Sequence, residues 1–495
     1  MDEFYKAHKS LLIGCLLAAL FVYGYPLTNF ALHIDEENGA VFGTVFNNIS
    51  IGRWGTSLIH STILRGPVLP FFMPAISLAF LVAAAIGTAK IIGNGGFSEK
   101  FLALLYIAFP QFAYQLEFLN QTESVALGLL AATVAFGCIV RTAGNANQGN
   151  FRYYIISVVL VVFAISTYQS LVLIVPALCA LSALSLVLED APNRRIVREI
   201  GISLAVTIVS LIIYHFITKF LQFALHVPAS DYLDAVVGWH HGSWSHAFQN
   251  GTGSLWKDVS GGDYFGESIY ATVFIPGIMI LVQYWKRKPS LSRKALAFGL
   301  VLFGIASPFA MVLLLGMQEP PRTFVASAVI FSGFWTLGFR SIGWRKSWAW
   351  VIVACCLLYG SFHVTRLFFA DTMAYRSDLL LGNRIVSAIY DREPAFDETK
   401  TPVYFCGVYA VPNFWRKNHY DVFGGSFFSW DVDDSIRISS FLTVNGIANV
   451  KLATDADKDR VQSKLPFLPA WPNPNAISDI DGVLVVKLGP TCGNP

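Results

Sequence analysis

The chain has 495 residues, of which 54% are hydrophobic and only 14% charged, with a mean hydropathy of +0.54. Soluble globular proteins carry roughly 25% charged residues, so much of this surface is expected to face lipid. A formal net charge of +3 offers no broadly basic surface for nucleic acid.

Lys6, His8 and Lys9 precede an apolar run over 11–32. A signal peptide has a shorter apolar region, roughly 7–15 residues, and a small-residue cleavage site. Here Tyr23, Tyr25 and Pro26 stand where cleavage would fall, so the run reads as a retained first spanning helix. A span needs about 20 mostly apolar residues. Further candidates follow near 68–92, 101–117, 123–140, 153–168, 170–188, 200–222, 268–285, 295–315, 323–339 and 348–368, about eleven in all. Ser166, Thr167, Tyr168, Gln169 and Ser170 separate the fifth from the sixth as a tight turn.

With the N-terminus inside, the predicted inner loops hold Lys90 and Lys100, Arg141 and Arg152, Arg194, Arg195 and Arg198, the basic cluster at 286–294, and Arg340, Arg345 and Lys346. The outer side holds mainly Arg53, Arg65, Lys257 and Arg322. This asymmetry follows the positive-inside rule and predicts an inside N-terminus and an outside C-terminus. Two outer loops are long, about 33–67 and 223–267. Beyond about 370 the chain turns polar, and "PVYFCGVY" and "GVLVVKLG" read as strands. The expected architecture is a polytopic α-helical membrane protein, 1–369, followed by a small soluble α/β domain, 370–495, on the outer side.

Cys15, Cys138, Cys179, Cys355 and Cys356 fall in predicted spans and read as packing residues. Cys406 and Cys492 fall in the outer domain, where an oxidising compartment permits a disulfide between them. No CxxC, HExxH, Walker or GxGxxG pattern supports a zinc or nucleotide site, and no cofactor is expected.

The chemistry-bearing residues gather on the outer side. Asp35, Glu36 and Glu37 follow the first span. Mutual repulsion and nearby lipid raise carboxyl pKa values, which suits a general base; the plainer reading is a helix end meeting water. Pro320 and Pro321 stand where a helix would begin, which puts Arg322 in the first turn of the tenth span. A guanidinium at a helix N-terminus suits a phosphate, although an arginine there also snorkels to headgroups. Arg53 in "GRWG" is a second phosphate candidate. Trp239, His240, His241, Trp244, His246, Trp256 and Tyr264 crowd the second long loop. Interfaces enrich such aromatics anyway, but Trp239, His240, His241, Trp244 and Trp256 are candidates for packing against a sugar or acceptor. The histidines lack a supporting ligand pattern, so no metal site is expected.

An acid and a phosphate clamp at the outer membrane boundary suit transfer from a lipid-linked phosphate. The chain resembles the GT-C glycosyltransferases, polytopic enzymes that use polyprenyl-phosphate sugars. More narrowly, "HIDEENG…GRWG", "STYQS" and "EPPRTF" resemble serotype-converting O-antigen glucosyltransferases over roughly residues 10–370. The resemblance implies a multi-pass protein of the bacterial inner membrane. It implies glucosyl transfer from undecaprenyl phosphate glucose to lipid-linked O-antigen units in the periplasm, with dependence on a separate donor synthase and flippase. It also implies an acidic base in the first outer loop, where relatives show paired aspartates. Here the pair is Asp35-Glu36, either of which is a candidate, with the departing phosphate held by Arg322 and with Arg53, Tyr168 and Gln169 as further candidates. The rivals are a flippase or transporter for lipid-linked sugars, an O-antigen polymerase, and a eukaryotic lumenal transferase, for which Asn48, Asn120 and Asn250 begin sequons.

Overall fold

The computed structural model describes residues 2–64, 69–144, 151–231, 237–240, 244–343, 345–417 and 419–492. It is mostly helical with a small C-terminal sheet. The chain divides into two compact units, one of Met1–Thr28 with Val45–Thr365 and one of Asn29–Thr44 with Arg366–Pro495.

In the first unit the long apolar runs become helices, because lipid-facing backbone must satisfy its own hydrogen bonds. Among the described residues eight helices are long and apolar enough to cross a membrane: Lys9–Thr28, Phe72–Ile92, Thr122–Gly144, Gln169–Leu188, Asn193–Ala224, Glu267–Lys286, Leu291–Leu315 and Lys346–Arg392. At 1.5 Å rise per residue, about 20 residues match the hydrocarbon thickness. The three remaining predicted spans form shorter helices. Gly96–Ala108 has 13 residues, Phe151–Thr167 has 17 and Ser327–Ile342 has 16. The first stops because Phe109, before Pro110, is pushed to an extended conformation, φ −71° and ψ 123°. The chain then makes a short 3-10 turn and a single helical turn, Ala113–Leu116. The predicted break in "STYQS" falls at Tyr168, which is extended at φ −157° and ψ 122°.

Both long predicted loops carry helices. The stretch 33–67 carries helices Glu36–Phe42, Val45–Ser50 and Trp54–Thr62. The stretch 223–267 carries helix Trp244–Val259, with the apolar Ala247 and Val259 buried. That helix packs beside Gly316, where only glycine fits. Gly316 has φ +71°, and a Cβ there would lie 3.0 Å from the Trp239 ring.

The second unit holds strands β1 (Val403–Cys406), β2 (Ile477–Ile480) and β3 (Val483–Lys487), in sheet order β1-β3-β2. β1 runs parallel to β3 with Val403 opposite Leu484, and β2 is antiparallel to β3 with Ile480 opposite Val483. β3 is central and all its residues are buried, which suits its run of Val and Leu. Around the sheet pack Tyr404, Val461, Leu465 and Val485. Cys406 and Cys492 form a disulfide that joins the end of β1 to the C-terminal tail.

Candidate active site

The acidic stretch belongs to the second unit. Asp35 precedes helix Glu36–Phe42 in a left-handed conformation, φ 79° and ψ −9°. An aspartate at that position usually caps its helix by accepting a backbone N–H. Asp35 makes no such bond. Its Oδ1 instead accepts from Arg437 Nη2 at 3.0 Å. Arg437 Nη1 donates to Glu37 Oε1 at 2.7 Å, and Nε donates to Asp431 Oδ2 at 2.8 Å. Asp434 caps helix Ser435–Val444 by accepting the Arg437 backbone N–H at 2.9 Å. Ser440, one turn further along that helix, donates to Asn38 Oδ1 at 2.9 Å.

The three adjacent acids therefore have different surroundings. The Asp35 side chain is 57% exposed and ion-paired. Glu36 is buried, and its Oε2 accepts the His33 backbone N–H at 3.1 Å. Glu37 is buried, and its Oε2 has no hydrogen-bond partner among the described residues. Burial pushes the Glu37 carboxyl up to about 8, against the opposing pull of the Arg437 guanidinium. His33 is also buried, with its ring nitrogen Nδ1 on Asp371 and its ring edge-on to Phe368. Burial lowers its pKa, but the Asp371 and Glu36 carboxylates outweigh this and leave it raised.

In the first unit the structure brings Arg53, Tyr168 and Gln169 together. The Arg53 guanidinium lies over the Tyr168 ring, 4.5 Å from its centroid. Nη1 donates to Gln121 Oε1 at 2.7 Å, and Nε reaches Gln169 Oε1 at 3.5 Å. Gln169 Nε2 donates to the Ile51 carbonyl at 2.6 Å, and Tyr214 donates to the Gly52 carbonyl at 3.1 Å. Gly52 has φ +83°, and a side chain there would collide with the Tyr214 hydroxyl. The "GRWG" turn is thus fixed from both sides.

Arg322 is placed differently from expectation. It lies in a 3-10 turn, Pro321–Thr323, and the following helix starts only at Ser327. Pro320 is extended, φ −68° and ψ 149°, and Phe324 leaves helical geometry, so the two segments do not join. Arg322 therefore does not occupy the first turn of a helix, and a helix N-terminal anion site at this residue is withdrawn. Its guanidinium stands 5.1 Å from the Phe118 ring centroid. Gln111 donates to the Pro321 carbonyl at 2.6 Å and Gln115 donates to the Arg322 carbonyl. Phe118 and Gln121 lie within one turn, linked by the Gln121 N–H to the Phe118 carbonyl at 3.1 Å. Both candidate phosphate-binding arginines therefore rest on the polar segment 115–121.

A second acidic group lies close by in sequence. Gln318 Nε2 donates to Asp258 Oδ1 at 3.1 Å and to Asp263 Oδ2 at 2.7 Å, and Lys257 pairs with Asp263 at 2.6 Å. Burial, then the Asp263 charge, pushes Asp258 up to about 7. Burial raises Glu319 to about 7 against the pull of Arg322.

The aromatic candidates separate. Trp244 and Trp256 are exposed at 76% and 69%, so both remain available to a ligand. Trp239 tilts against Trp244 with centroids 5.4 Å apart and donates to the Leu314 carbonyl at 2.9 Å. Tyr264 is buried against Tyr114 and Phe324 and belongs to the core. His241 and the side chain of His240 lie outside the described residues.

The family described as Glucosyl transferase GtrII matches residues 24–340, well over half of the chain. The chain belongs to this family. Membership agrees with the resemblance to serotype-converting O-antigen glucosyltransferases, and it makes this a glucosyl transferase-family protein with a helical membrane part. No curated protein and no solved structure matches the chain. The GtrII match includes the acidic stretch, Arg53, Tyr168, Gln169 and Arg322, and ends before Arg437. Arg437 and Gln121 were not evident as site residues in the sequence. No local pattern around "DDSIRIS" points to partners at the other end of the chain.

Proposed function

We propose that the protein is an inverting glucosyltransferase of the bacterial inner membrane. It moves a glucosyl group from undecaprenyl phosphate glucose to a lipid-linked O-antigen unit in the periplasm and so modifies lipopolysaccharide. The family match over residues 24–340 carries this reading. About eleven spans with the N-terminus in the cytoplasm and the C-terminal unit in the periplasm suit it, since the basic loops then fall inside.

On this reading Asp35 or Glu36 takes the proton of the acceptor hydroxyl. The acceptor oxygen attacks the anomeric carbon as the bond to the lipid phosphate breaks. The phosphate leaves with the bonding electron pair, and inversion of a β-linked donor gives an α-linked product. Arg322 and Arg53 stabilise the negative charge that grows on the phosphate. Gln121, Gln169 and Tyr168 hold the Arg53 guanidinium in place before the donor binds. Exposed Trp244 and Trp256 offer apolar faces for sugar rings. A separate donor synthase and flippase supply the lipid-linked glucose.

Mass spectrometry and NMR of lipopolysaccharide from cells with and without the gene test the proposal. Added glucose on the O-antigen repeat is expected only when the gene is present. An unchanged glycan with an altered distribution of lipid-linked sugars would favour transport instead.

A further inference from the structure

The GtrII match ends at residue 340, so it does not reach the segment Arg366–Pro495. The unit that holds this segment also contains the acidic stretch, because Asn29–Thr44 folds with Arg366–Pro495. The link is Arg437, only 6% exposed, whose fork spans two of the three acids. An isolated buried guanidinium is costly, and this one is compensated by Asp35, Glu37 and Asp431 with Asp434 3.7 Å from Nε. Asp35 makes no cap bond to its helix and is held by Oδ1 in a left-handed turn. Such a conformation is uncommon outside glycine and needs support from its surroundings.

We infer that Arg437 is a positioning residue for glucosyl transfer: it holds Asp35 and Glu37 so that the acidic stretch keeps one orientation and one ionisation pattern. The inference rests on the proposed transferase reading, in which Asp35 or Glu36 is the base. It gives the C-terminal unit a part in the reaction as well as in the fold. The guanidinium is a cation set among these carboxylates. The charged and titratable groups around it are Asp35, Glu36 and Glu37 on the helix it faces and Asp431 and Asp434 ahead of its own helix. His33 and Asp371 lie beside Glu36. Removing one positive charge from this set makes every remaining carboxylate harder to ionise.

The test uses the full chain in nanodiscs, with undecaprenyl phosphate glucose as donor and a lipid-linked O-antigen unit as acceptor. The rate is measured against pH for the wild type, Arg437→Lys and Arg437→Ala. Peptide mapping after alkylation reports whether Cys406 and Cys492 stay protected, and hence whether the unit is folded. Loss of a neighbouring positive charge makes a carboxylate harder to ionise. The acidic limb of the Arg437→Ala profile should therefore move to higher pH, with the cysteines still protected. Arg437→Lys keeps charge but cannot span Asp35 and Glu37 with two donors. Its limb should return toward wild type while its rate stays at least about tenfold low, within the range of general-base effects. Partial loss of folded protein lowers a rate but does not move a limb. If Arg437→Ala is inactive with protected cysteines, the Lys result decides in the same terms. An unshifted limb in Arg437→Ala, a wild-type rate in Arg437→Lys, or loss of protection in both variants would overturn the inference. A wild-type protein that transfers no glucose would instead overturn the transferase reading.

Discussion

Arg437 Nη1 lies 2.7 Å from Glu37 Oε1, a contact between residues 400 positions apart. It ties the acidic stretch to a helix near the other end of the chain. Glu37 remains a poor place for a charge, because burial raises its carboxyl from 4.5 to about 8 despite the guanidinium. Between these values the folded state holds a proton that the unfolded chain has lost. Stability therefore falls as pH rises across this window. Glu37→Gln should flatten that slope, seen as a smaller fall in thermal midpoint between about pH 5 and pH 8 in detergent. An unchanged slope would mean that Glu37 is ionised throughout.

The two candidate bases differ in ways that mutagenesis can resolve. Asp35 is exposed and held by one oxygen, whereas Glu36 is buried against its own turn. Asp35→Asn keeps a residue tolerant of the left-handed backbone, and Glu36→Gln keeps its length. Loss of the true base should lower the rate by about 10²–10⁴-fold with normal membrane insertion. Near-normal rates in both variants and in the double variant would leave the stretch as a structural partner of Arg437 and remove it from the chemistry.

Arg322 and Arg53 should respond differently from headgroup anchors. A lysine replaces an anchoring arginine well but loses the two-pronged grip on phosphate. Arg53→Lys also loses its fit over Tyr168 and its bond to Gln121. Both lysine variants should insert normally and transfer at least about tenfold more slowly, with Arg322→Ala slower still, because charge on phosphate grows in the transition state. Initial rates against donor concentration measure this. A wild-type rate for either lysine variant would remove that residue from the clamp.

Topology has its own check. A reporter active only in the periplasm, fused after the C-terminal unit, should be active, and Cys406 and Cys492 should resist alkylation until reduced. A cytoplasmic reporter active at the same point would reverse the orientation.

Much of the fold was legible because it depends on local composition. Apolar runs of about 20 residues marked the long spans, and β-branched runs marked β1 and β3. β2, "ISDI", was not evident, since its exposed Asp479 dilutes the strand signal. Arg322 was misplaced because a double proline starts a 3-10 turn as readily as a helix. Residues 53, 168 and 169 were recognised separately, and their convergence appears only when the Tyr168 break folds beside the "GRWG" turn. Arg437 stayed hidden because its meaning lies wholly in partners distant along the chain.

Transfer of glucose from a lipid phosphate is tested most directly with the purified protein. Undecaprenyl phosphate bearing labelled glucose is incubated with the protein in nanodiscs and a lipid-linked O-antigen unit, and the label is followed. Label should move to the acceptor as an α-glucoside without any nucleotide sugar present. Label that stays on the donor lipid, while a nucleotide-linked glucose supports transfer in its place, would contradict it.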